Sequence, residues 1–169
     1  RLVIVGSGSA FHPPEEQHAV LSKARDNAIT ALKDGTLDGI YRRFRNIVHD
    51  PKTITESMAM MQLAANALPG RFDASVLFYE AVIAALDEPE AQVYSCLEDI
   101  VTPTLIITGR NDPRASWHRA VEAKRRIANA RLLVFEDCGH GPMFEHASEF
   151  NAAVSDFLAG RDLKSLGVE

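Results

Sequence analysis

Two spacings of apolar residues divide this chain. Leu2-Val-Ile-Val5 is a short continuous apolar run, the pattern of a buried parallel strand. Gly6-Ser-Gly-Ser-Ala10 ends it, and His12-Pro13-Pro14 holds off a helix until Glu15, because proline lacks an N–H and restricts the residue before it. From there to Glu90 the spacing is helical. Val20, Leu21, Ala24, Ala28, Ala31 and Leu32 fall on one face, and Asp34-Gly35 stops that helix. A segment over 37–48 follows, closed by Asp50-Pro51. Thr53 or Thr55 is the candidate cap of the next helix, whose expected buried face is Ile54, Met58, Met61 and Ala65. Leu68-Pro69-Gly70 breaks it, and 76–86 reads as an apolar helix ending before Pro89.

From Ile100 the pattern changes. The spacing predicts a strand over 104–108, a helix over 117–128, a strand over 132–135 and a helix over 145–158. The last helix carries Ala147, Phe150, Val154, Phe157 and Leu158 on one side. Strands alternating with helices predict an α/β fold with a parallel sheet. The chain therefore divides into a core strand (1–10), a helical insertion (11–90) and an α/β core (91–169).

A chain of 169 residues is long enough to bury about 68–70% of its unfolded surface as one domain. Net charge is −5, which argues against nucleic acid or an anionic membrane as partner. The local exception, Tyr41-Arg-Arg-Phe-Arg45, reads as a solvated or salt-bridged helix face. Every apolar run falls short of the roughly 20 residues of a membrane span. Cys96 and Cys138 are too few for a disulfide framework and are not spaced as a metal site, so a reducing cytoplasm is the expected compartment. Arg1 leads straight into a strand with no methionine, so the chain reads as a piece of something longer.

The chemistry concentrates after two predicted strands. Thr104-Leu-Ile-Ile-Thr-Gly-Arg-Asn-Asp112-Pro113 delivers a carboxylate just past Gly109. Arg131-Leu-Leu-Val-Phe-Glu136 is followed by Cys138-Gly139-His140-Gly141, a histidine between glycines. Ligands of parallel sheets bind beyond the carboxyl ends of the strands, which is where both residues fall. A carboxylate that accepts from a histidine's Nδ1–H fixes its tautomer, and the imidazole, with an ordinary pKa of about 6.5, can then take a nucleophile's proton. Taken singly, Asp112 is ordinary turn chemistry and His140 an ordinary loop residue. Cys138 shares the short loop of His140, which makes alignment as a nucleophile awkward, so it reads as a small buried filler.

These motifs resemble the C-terminal part of the α/β-hydrolase fold: I-x-x-P-T-L-I-I-T-G-R-N-D-P, then N-A-R-L-L-V-F, then C-G-H-x-x-x-x-E-H-A-S-E-F-N. The resemblance implies that Asp112 is the family acid, His140 the family base, and the helical insertion a lid. It also implies an order of nucleophile, acid, histidine along the chain. Within the family, His49-Asp-Pro-Lys-Thr-Ile-Thr55 and Glu145-His-Ala-Ser-Glu-Phe-Asn151 resemble hydrolases of meta-cleavage products of aromatic degradation. Those enzymes typically carry an arginine where this chain has Gln62, and a tryptophan where it has Gly141. A small, largely apolar substrate is expected, and ester-like and carbon–carbon types both stay open. Other readings are dehalogenation or acyl transfer on the same fold, or an inactive ligand-binding module.

The family nucleophile lies in G-x-S-x-G, and this chain has no such pentapeptide. Ser7 and Ser9 do not fit it. The elbow is expected upstream of Arg1, so the expected partners are a small-molecule substrate and either the missing N-terminal half or another copy of the chain. No cofactor or metal is expected. The glycines at 6 and 8 make only part of a dinucleotide fingerprint, and the His-x-His-x-Asp-His cluster of metallo-β-lactamase-like proteins is missing. Met58, Met60, Met61, Phe72, Phe78 and Tyr79 are pocket or core candidates. Met143 and Phe144, tied in sequence to His140, are better substrate contacts, with Gln62 as a third.

Overall fold

The computed structural model describes residues 1–7 and 10–163. Among them one three-stranded sheet has the order β1-β2-β3: Leu2–Val5, Thr104–Gly109 and Ala130–Phe135. Both pairings are parallel, with Val3 opposite Leu105 and Leu105 opposite Arg131. Every residue of β2 is buried, as its unbroken apolar run requires. Alternate residues face opposite sides. Leu105, Ile107, Leu133 and Phe135 pack with Ala153 and Phe157 of the helix Ala147–Ala159, while Ile106 and Leu132 pack with Ala120 and Ala123 of the helix Trp117–Arg126. The α/β architecture is the one the alternation predicts. Gly8 and Ser9 of the opening loop, and 164–169 of the expected core segment, lie outside the described residues.

Between β1 and β2, among the described residues, run four α-helices: α1 (Pro14–Asp34), α2 (Leu37–Arg45), α3 (Glu56–Asn66) and α4 (Arg71–Ala85). Pro14 occupies the first turn of α1, where a missing N–H costs nothing, and Gly35 ends the helix in the left-handed region at φ 62°. Ala24, Ala28 and Ala31 form its buried seam with Gln17, whereas Val20, Leu21 and Leu32 are only half-buried. Thr36 caps α2 through Gly39 N–H at 3.1 Å, and Thr55 caps α3 through Met58 N–H at 3.3 Å.

The buried face of α3 differs from expectation. Ile54, ahead of the helix, is buried as expected and Met58 and Ala65 are half-buried, but Met61 is exposed and Ala59 is the buried residue of the helix. Helix α4 begins five residues before the expected 76, because the left-handed turn at Gly70 restarts the helix at once. Leu77 and Phe78 of this apolar helix are exposed. The expected helix over 145–158 is two: a single turn, α6 (Pro142–Glu145), and α7 (Ala147–Ala159), broken at His146 (φ −133°, ψ 49°). The His146 ring stacks on Phe135 with centroids 4.9 Å apart. Helix α5 (Trp117–Arg126) is shorter by two residues than expected, since Ile127 is extended and buried.

Candidate active site

Asp112 and His140 meet beyond the carboxyl ends of β2 and β3. The His140 Nδ1 lies 2.8 Å from Asp112 Oδ2. The other carboxylate oxygen accepts from the backbone N–H groups of Arg114 (2.7 Å) and Ala115 (2.9 Å). Asp112 therefore has both oxygens occupied, its side chain only 1% exposed, while that of His140 is 25% exposed. A buried carboxylate needs such donors to satisfy its oxygens. With Nδ1 committed to Asp112, the proton-accepting position of the neutral imidazole is Nε2.

Glycines allow the approach. Gly6, at φ 53°, faces the imidazole: a Cβ there would stand 3.2 Å from both Cε1 and Nδ1 of His140. At Gly139 a Cβ would stand 2.5 Å from the Ile47 carbonyl and 2.7 Å from His49 N. Asp137, two residues before Gly139, itself takes a positive φ of 48°, a conformation asparagine and aspartate tolerate better than most residues. The His140 N–H donates to Ile47 O at 2.6 Å. On the acid side, Arg110 forks onto Glu136 (2.6–3.1 Å) and stacks its guanidinium 3.9 Å over the Trp117 ring, bracing the loop that carries Asp112.

Cys138 is fully buried, and desolvation, reinforced by the Glu145 charge, pushes its thiol up to about 12. It is a neutral filler at physiological pH. Sequence reasoning passed over Glu145. Its Oε1 accepts from Gly139 N (2.9 Å) and Gly141 N (3.3 Å), and its Oε2 from His49 N (2.6 Å). The signal was there: two glycines beside a histidine expose amides that need an acceptor, and a carboxylate follows within one turn.

A cavity of about 720 Å³ opens beside Asp112, between α1 and the loop after β2. Lys23, Arg114, His12 and His118 supply its basic lining, with Val20 and Trp117 among its apolar walls. Met143 and Phe144 are exposed next to the histidine loop, and Gln62 bonds to Asn66 at 2.8 Å on α3; none of the three lines this cavity. The arginine run is only partly a solvated face. Arg42 pairs with Asp34 and Asp38, but Arg43 is half-buried and its pKa is lowered by desolvation, with Tyr79 opposing the shift and Arg114 and Arg71 adding to it.

The sequence profile of the Alpha/beta hydrolase family matches residues 3–153. The chain belongs to the α/β-hydrolase family. Among its relatives is a 2-hydroxy-6-oxononadienedioate/2-hydroxy-6-oxononatrienedioate hydrolase of Pseudomonas putida, 32% identical over 163 residues, which cover 94% of this chain and 54% of the relative. A 2-hydroxymuconate semialdehyde hydrolase of Pseudomonas sp. (strain CF600) is 30% identical over 167 residues, 98% of this chain and 56% of that one. A solved meta-cleavage product hydrolase of Pseudomonas fluorescens IP01, complexed with acetates, superposes with a TM-score of 0.58 at 27% identity, covering 74% of this chain and 46% of that chain. This α/β-hydrolase chain thus spans about half the length of the curated relatives it matches. Among the described residues no helix is long and apolar enough to cross a membrane.

Proposed function

We propose that this chain carries the acid and the base of a hydrolytic triad, and that the whole protein cleaves a carbon–carbon bond in a small acid of the meta-cleavage product type. The observation that carries this reading is the 2.8 Å contact between His140 Nδ1 and the buried Asp112 carboxylate. His140 takes the nucleophile's proton at Nε2 and returns it to the leaving group, while Asp112 holds the ring and stabilises the imidazolium. The nucleophile, a serine in this reading, stands on an elbow that precedes β1 in the fold. Among the described residues β1 pairs only with β2, so its other edge is available to that upstream part or to a second copy. Helices α1–α4 act as the lid.

The cavity beside Asp112, which His140 itself does not line, suits an acidic substrate. Lys23 and Arg114 line it, and the one carboxylate among its lining residues, Asp112, is already bonded through both oxygens. The relatives' names describe dioates and a muconate semialdehyde, which fit such a lining. A simple ester is the second reading, favoured by Gln62 and Gly141 where carbon–carbon hydrolases typically have arginine and tryptophan.

The test is turnover by the whole protein of a 2-hydroxy-6-oxo-dienoate, followed by loss of its dienolate absorbance, beside a p-nitrophenyl ester. Preference for the dienoate by kcat/KM is expected. Hydrolysis of the ester alone would leave the triad but overturn the substrate class.

A further inference from the structure

We propose that Glu145 is a positioning residue whose carboxylate ties the connector between α2 and α3 to the loop of the proposed base. The inference rests on the reading of His140 as that base and goes beyond it, because it places control of the imidazole in the helical insertion.

The two carboxylate oxygens serve two segments. Oε1 accepts from Gly139 and Gly141, the residues on either side of His140. Oε2 accepts at 2.6 Å from His49, 96 positions away in the chain, on the connector. The connector returns the contact, since Ile47 O accepts the N–H of His140 itself at 2.6 Å. Gly139 closes the joint: its Cα lies so near Ile47, Val48 and His49 that no side chain fits between. Three backbone N–H groups converge on one carboxylate, and such charge-assisted bonds are about twice as strong as neutral ones. Among the described residues these three amides and, at 3.8 Å, the Cys138 thiol are the groups that bond to the Glu145 carboxylate. The connector and the imidazole are thereby tied through two opposed sets of hydrogen bonds.

Glutamine tests this with little change in volume. One of its two positions becomes an NH2 donor, which must face an N–H either of the connector or of the histidine loop. Glu145→Asp keeps the charge but lacks the reach to serve both. In the whole protein, Glu145→Gln is expected to keep a native melting transition and to move the NMR titration midpoint of the His140 ring. It should lower kcat roughly tenfold with KM nearly unchanged, as misplaced catalytic groups do. Glu145→Asp should not rescue it. An unchanged His140 midpoint with unchanged kcat would overturn the proposal. So would a fall in kcat that merely tracks loss of folded protein.

Amide exchange in the unmutated protein gives a second, independent reading that needs no variant to fold. The amides of His49, Gly139 and Gly141 should exchange together; free exchange at His49 with protection at Gly139 would sink the idea. Asp112→Asn serves as the control. If that change leaves kcat intact, the triad reading fails on its own, whatever the exchange data show for Glu145.

Discussion

Gly109, the last residue of β2, lies directly against the carbonyl of Gly139, one residue before the proposed base. A Cβ at Gly109 would collide with the backbone carbonyls of Cys138 and Gly139, neither of which can swing aside like a flexible side chain. Gly109→Ala should therefore destabilise the fold by about 1–3 kcal/mol, the usual range for overpacking. It should also displace the loop that carries His140. Urea denaturation reads the first effect, and loss of turnover beyond the loss of folded protein reads the second.

Asp112→Asn isolates the role of the carboxylate charge. The amide retains one oxygen for the N–H groups of Arg114 and Ala115, so the loop should stay folded. Its nitrogen then faces His140 Nδ1 and imposes the wrong tautomer. Turnover of the whole protein should fall by about 10⁴-fold, as in triads generally, with circular dichroism unchanged. A fall of less than tenfold would remove Asp112 from the mechanism.

The two cysteines should behave as opposites. Cys96 is exposed and Cys138 is buried. Iodoacetamide at neutral pH should add one label to the native protein and a second only after unfolding, as counted by intact mass. The pH dependence has a definite sign. The Cys138 pKa rises from 9.0 to about 12 on folding, so its contribution to stability is whole below pH 9 and is lost as pH climbs towards 12. Cys138→Ala should show a smaller loss of melting temperature over that window than the unmutated protein.

Lys23 and Arg114 should govern affinity for an acidic substrate, since both line the cavity beside Asp112. Replacing either with methionine should raise KM for a carboxylate-bearing dienoate roughly tenfold, the worth of one charge-assisted hydrogen bond. The kcat should change little. An equal effect on a neutral ester would mean that the cavity does not read charge.

How much of this could be read beforehand depends on how local the signal is. The strands β2 and β3 were legible because each is an apolar run bounded by turn residues, and the Asp112–His140 pair because both residues follow such runs. The buried face of α3 was not. Hydrophobicity favoured Met58 and Met61, but Met58 is half-buried, Met61 exposed and the small Ala59 fully buried. The break at His146 was not legible either, and its ring stacks on Phe135, a residue of another element. For Glu145 the glycine amides beside His140 were a local signal, but its other partner, His49, belongs to a different half of the chain. The basic run at 41–45 reads as uniform surface, yet only the fold reveals that Arg43 turns inward.

Gly6, Gly109 and Gly139 enclose the histidine loop, each at a spot where backbone or imidazole occupies the room a side chain would need. Any missense change at a glycine codon adds atoms, so none of the three sites has a mild substitution available. In a saturation-mutagenesis map the loop should appear as a band of intolerance wider than its chemistry requires. Met143 and Phe144 beside it, 37% and 50% exposed, should tolerate change better.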